Sequence, residues 1–138
     1  MSLELNEIQK SIRAKLITNS TLMSILADGS NSIVDNSINL NLSYPFITFI
    51  SSNVEPDDTV SNNGHIVFVQ LGAYTQTGSK QQAQSILKEI NLSLHNQKLT
   101  VTNLDYCYCR CEFSEIIIDD EATSNGYNGI IRLRLTTY

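Results

Sequence analysis

Apolar residues near the start of the chain fall at Leu5, Ile8, Ile12 and Leu16, with Glu4, Glu7, Lys10, Arg13 and Lys15 between them. Steps of three and four keep one stripe of a helix apolar, so an amphipathic helix is expected over residues 3–18. Asn19 and Ser20 can end that helix and cap a short second one carrying Leu22, Ile25 and Leu26, which Asp28 and Gly29 stop. The same period returns at Ala83, Ile86, Leu87, Ile90 and Leu94, marking a helix over residues 80–95, with Ser79 and Gln82 at capping-box spacing. Elsewhere the pattern is that of strands. Residues 46–50 follow Tyr44-Pro45 and are β-branched or aromatic, residues 65–74 form a second run, and 99–102 a short third. Over residues 106–118, Tyr106, Tyr108, Arg110 and Glu112 alternate with Cys107, Cys109, Cys111 and Phe113. In the last strand Ile131, Leu133 and Leu135 oppose Arg132, Arg134 and Thr136, and pairing the two apolar rows places Glu112 near the arginines.

The segments between are polar. Residues 30–43 are rich in Asn and Ser and read as an irregular connection, residues 51–64 as a loop holding Glu55, Asp57 and Asp58, and residues 119–126 as a turn holding Asp119, Asp120 and Glu121. The expected fold class is α+β: a mixed, mainly antiparallel sheet of about four to five strands with helices packed on one face. Residues 1–138 are expected to form a single domain, since 138 residues suffice for one core and not for two. One feature exceeds what a small domain can satisfy alone. Phe46, Ile47, Phe49 and Ile50, like Val67, Phe68 and Val69, are apolar on successive positions, so both sheet faces need cover. A second subunit over part of the sheet would supply it.

Charge narrows the choice of partners. The net charge is −5 and the nine Lys and Arg residues are scattered, which argues against a nucleic-acid partner. No apolar run approaches the ~20 residues of a membrane span, and the first residues lack the apolar core of a signal peptide, so a soluble cytoplasmic protein is expected. Three cysteines two residues apart are an odd set. Neighbours on one face of a strand lie ~7 Å apart with parallel side chains, too far to bridge, so Cys107, Cys109 and Cys111 are expected to be reduced.

Candidate chemistry is sparse. The segment from Gly72 to Lys80 lies between a strand and a helix as a phosphate-binding loop would, but its glycine spacing is one too long, Ser79 and Lys80 are transposed, and Ser79 is accounted for as a helix cap. Three thiols on one strand fall short of the four ligands of a structural zinc site, and neither His65 nor His95 is spaced to complete one. The two acidic clusters match no calcium-loop pattern and have the composition of solvated turns. No nucleophile, catalytic pair, metal or cofactor is expected, and the chain reads as a non-enzymatic protein.

In order and spacing, several segments together carry a resemblance. They are the opening helix with Leu5, Ile8, Ile12 and Leu16 and the segment from Ser20 to Leu26; Tyr44-Pro45-Phe46-Ile47-Thr48-Phe49; Glu55-Pro56-Asp57-Asp58-Thr59; Ala73-Tyr74 through Gly78 into the helix with Ala83, Ile86, Ile90 and Leu94; and Asn128-Gly129-Ile130-Ile131-Arg132-Leu133-Arg134. The chain resembles the tail-completion, or tail terminator, proteins of long-tailed phages, prophages and phage-derived particles. The resemblance implies a structural virion protein, assembled in the host bacterial cytoplasm and placed at the tail neck. Copies would form a homo-oligomeric ring, commonly hexameric, that ends polymerisation of the tail tube protein and meets the head-tail connector protein. The alternatives are another phage neck or baseplate component on a similar fold, or a small-ligand-binding or enzymatic α+β domain. The residues expected at assembly contacts are Phe46 and Phe68 on the sheet and Glu55, Asp57, Asp58, Asp119, Asp120 and Glu121 in the acidic loops.

Overall fold

The structure of the protein, a computed structural model, describes residues 5–35, 43–58, 63–76, 80–102, 104, 106–118 and 126–137. Helix α1 spans Leu5–Ile17 and buries Ile8, Ile12 and Leu16, the stripe its sequence period dictates. Helix α2, Ser20–Ile25, starts at Asn19, whose side-chain oxygen accepts the Leu22 N–H at 3.0 Å. The Asn19 amide group also reaches Glu89 Oε1 at 3.2 Å and Ser93 Oγ at 2.9 Å on helix α3, Gln81–Leu94, and so ties the helical pair to it. Asn19→Ala is therefore expected to cost about 2 kcal/mol, a lost cap plus lost inter-helix hydrogen bonds, measurable by urea unfolding.

After α2 a short 3-10 turn, Gly29–Ser32, leads into strand β1, Ile33–Val34. Arg13 on α1 holds both, donating from Nη2 to the Ser30 carbonyl at 2.8 Å and from Nε to the Ile33 carbonyl at 3.3 Å. Strand β2 covers Phe46–Asp58 and β3 Asn63–Tyr74. Then come α3, β4 at Gln97–Lys98, β5 at Cys107–Ile118 and β6 at Tyr127–Thr137. Among the described residues the sheet order is β1-β2-β3-β6-β5-β4, with only the β1–β2 pair parallel. The class is the expected one, with six strands among the described residues in place of four or five.

One sheet face carries the core. Ile47, Val67, Val69, Leu71, Ala73, Ile131, Leu133, Leu135 and Cys109 are buried there in one cluster with Ile8, Ile12, Ile86 and Ile90. Of the residues that the three α-helices bury, all but Ala83 join this cluster, so the helices share one face of the sheet. Close approach of α3 has a specific cause: a Cβ at Gly129 would stand 3.0 Å from Leu87.

Four expectations change. Residues 51–58 are not loop: they are the second half of β2, paired antiparallel from Ser51↔Gln70 to Asp58↔Asn63, so Glu55, Asp57 and Asp58 lie on a strand. Their polar sequence hides this because an edge strand needs little apolar content and tolerates Pro56. The short third strand is at Gln97–Lys98 and not at residues 99–102, where Leu99 and Val101 instead sink into the core. Helix α3 has Lys80 at its N-cap position without a side-chain cap, and Ser79 lies outside the described residues. Finally, a register shift at Glu112 reverses the expected face beyond it: Phe113 pairs with Arg132 and points away from the cysteine row.

Candidate assembly surface

The helix-free face of the sheet combines aromatic, aliphatic and arginine side chains. At one corner Tyr44, Phe46 and Tyr74 form a run of rings with centroids 5.2 Å apart at each step, the Phe46–Tyr74 pair nearly parallel at 21°. Ile50, extruded by the register shift, folds back over Gly72, where a Cβ would come within 2.8 Å of its Cδ1. Gly72 is thus a close-packed strand residue. In the middle of the face the Arg132 guanidinium covers the Phe68 ring, Cζ to centroid 4.2 Å. Glu112 approaches Arg132 Nε at 3.5 Å, an ion pair by distance, yet that buried nitrogen has no hydrogen bond. The contact is electrostatic and, with both side chains about 40% exposed, weak. Phe113 is 51% exposed beside it, and Ile117 43% exposed farther along β5.

Of the residues expected at contacts, Phe46 is 7% exposed and lies within the aromatic run, and Phe68 is half-buried under Arg132. The two share this face. Glu55 is exposed on β2, where the backbones of Asp57 and Asp58 also run. Asp119, Asp120 and Glu121 lie outside the described residues. Sequence reading missed Ile50, Arg132 and Phe113. No local signal marks Ile50 or Phe113, because a one-residue register shift decides their side of the sheet; for Arg132 the alternation of the last strand did give the face but not its ring partner.

On the other face the thiols are free and packed. Burial pushes Cys107 and Cys111 up to about 11 from an ordinary 9.0, and burial plus the two neighbouring thiols pushes Cys109 higher still. The unfolded chain then releases these protons before the folded one does. Stability from the protonated thiols is complete below about pH 9 and is lost as pH rises toward about 11. Urea midpoints are expected to fall across that window, and less so when all three cysteines are replaced by alanine.

Among the described residues, no group of three His, Cys, Asp or Glu side chains is placed to hold a metal ion, and no helix is long and apolar enough to cross a membrane. The His95 imidazole is engaged, its Nδ1 accepting the Cys111 N–H at 3.0 Å. The arrangement offers contact surface, with aromatic anchors of the kind that dominate protein interfaces.

Comparison with known proteins points the same way. The family model described as tail completion protein gp17 matches residues 10–138. No curated protein matches the chain. Among solved structures, a chain described as "Virion of native gene transfer agent (GTA) particle" superposes with a TM-score of 0.83 at 9% identity, over 99% of this chain and 98% of that one. At that identity the likeness concerns the fold.

Proposed function

This chain belongs to the tail completion protein gp17 family and is a structural protein of the phage tail, and from that premise we propose that its copies close into a ring at the end of the tail tube. The ring, hexameric by the family resemblance, ends tube polymerisation and offers a surface to the head-tail connector protein. Assembly takes place in the host cytoplasm, and no catalysis is involved. The solved chain that shares the fold is described as part of a gene transfer agent virion, which supports a place in such a particle. The observation that carries the proposal is the helix-free sheet face. Exposed Ile50, Phe113 and Ile117 all lie on it, together with the Phe46 and Phe68 rings, and contact with other subunits would cover them. Heterologous contacts related by a rotation that closes make a ring and stop growth without any chemical step.

Sedimentation of the purified chain with and without purified tail tube protein, followed by electron microscopy of the fastest species, tests this. Closed rings, or ring-capped tubes of limited length, are expected. A stable monomer that forms no complex with the tube protein at high concentration refutes it. The carboxylates Glu55, Asp57, Asp58, Asp119, Asp120 and Glu121 lie outside the core in this reading, turned to the ring lumen or to neighbours. Replacing Asp57, Asp58, Asp119 and Asp120 together with asparagine is then expected to shift stability by no more than ~0.5 kcal/mol per site. Unfolding of that variant would mean that those carboxylates are buried and paired.

A further inference from the structure

The two edges of the sheet are stepped in opposite senses. Near one end of the strands a rung runs Val34, Thr48, Gly72, Ile130, Glu115, from β1 to β5. Near the other end a rung runs Glu55, Ile66, Thr136, Tyr108, Lys98, from β2 to β4. The sheet is five strands wide at both levels but displaced by one strand between them. On the β2 side, β1 projects beside residues 47 and 48, while residues 51–58 have only β3 as a neighbour among the described residues. On the β5 side the step is inverted. There β4 projects beside residues 108 and 109, and His95 caps the Cys111 N–H, while residues 113–118 have only β6 as a neighbour among the described residues.

We propose that neighbouring copies of this chain join edge to edge through these steps, the β1–β2 edge of one against the β5–β4 edge of the next. The inference rests on the ring reading and specifies its joint. A projecting step on one edge fills the recess on the other, so a rotated copy fits with its strands at the same level. Strand β1 of the second copy then lies antiparallel to residues 113–118 of the first. Strand β4 of the first lies beside residues 51–58 of the second. Charge agrees with shape: the lower rung ends in exposed Glu55 at one edge and exposed Lys98 at the other, so the joint brings opposite charges together on one face. Exposed apolar side chains lie at the β5 recess. Leu92 on α3, Phe113 and Ile117 are 63%, 51% and 43% exposed, and an open groove of about 530 Å³ runs between α3 and residues 114–116. An edge strand with no further partner among the described residues and with exposed apolar side chains invites pairing, and soluble proteins ordinarily block such edges. A second copy also accounts for both edges at once, which a single added peptide does not.

Engineered disulfides test the joint. Val34 and Glu115 end the upper rung on the same face, four strand spacings apart within one chain, or roughly 19 Å, beyond the reach of any disulfide. In the joint they become neighbours. The double variant V34C/E115C, oxidised as assembled rings and run on a non-reducing denaturing gel, is expected to give a ladder of cross-linked multiples. Neither single variant gives one above the wild-type background. In a second measurement, E55K and K98E are each expected to weaken ring assembly about fivefold per interface, with the combined variant restoring it. Intact rings in the microscope with no ladder from V34C paired with E115C, I117C or F113C, and no recovery in the charge-reversed pair, overturn the inference and leave the ring reading standing. Absence of rings from the wild-type chain with tube protein removes both.

Discussion

Truncating Leu133 to alanine is expected to destabilise the protein by about 2–5 kcal/mol, the range for a fully buried leucine whose cavity cannot collapse. Leu133 has no solvent exposure and sits on β6, between β3 and β5, with Val69 and Cys111 as its register partners. Strands on both sides hold its backbone in place, so the surrounding side chains can relax only partly into the space. In urea this corresponds to a midpoint lower by roughly 1–3 M at the slope usual for a chain of this size. Ile117→Ala is the contrasting case. Ile117 is also a strand residue, but it lies on the helix-free face and is 43% exposed, so its truncation is expected to change stability by no more than ~0.5 kcal/mol. Equal losses at the two positions would mean that the helix-free face is buried within the monomer.

The second large effect is on assembly. Phe68→Asp removes the ring under the Arg132 guanidinium and places a carboxylate on the helix-free face. Phe68 is half-buried, and the new carboxylate lies near Arg132 and beside Arg134, its partner on β6. Those cations offset much of the cost within the folded chain. An apolar anchor at an interface has no such substitute: replacing it with a charge that must be desolvated is expected to weaken association by at least ~30-fold, the scale of a hot-spot loss. Circular dichroism is therefore expected to stay close to wild type, and rings to form through their sheet edges, while sedimentation shows loss of the complex with tail tube protein. Loss of both the spectrum and the complex would place Phe68 among the residues that hold the monomer together. Retention of the complex would remove the helix-free face from the assembly contacts.

Helices α1 and α3 were legible from sequence because each repeats one apolar stripe over three or more turns, and burial followed that stripe at Ile8, Ile12, Leu16, Ala83, Ile86, Ile90 and Leu94. Asn19 was legible as a cap because its chemistry acts within three residues. Strand β6 was legible through strict alternation, and so was the burial of the Cys107 and Cys109 row opposite it. That apolar residues stand on both faces of the sheet was visible too, in the successive positions Phe46 to Ile50 and Val67 to Val69. The order of these pieces was enough to suggest the family.

Tertiary structure decided the remainder, for a common reason. A strand whose sequence is polar, such as residues 51–58, becomes a strand because β3 is there to pair with it, and pairing across the sheet is not encoded in a local period. The register shifts at Ile50 and Glu112 each insert one residue, and one residue exchanges the two faces of everything that follows. Ile50 and Phe113 thereby reach the helix-free surface, and Arg132 meets Phe68 and Glu112 there. The opposed ends of one rung, Glu55 and Lys98, are 43 residues apart in sequence and on different strands. Only the stacking of five strands in a fixed register sets them at the same level on opposite edges, because each hydrogen-bonded ladder passes its register to the next.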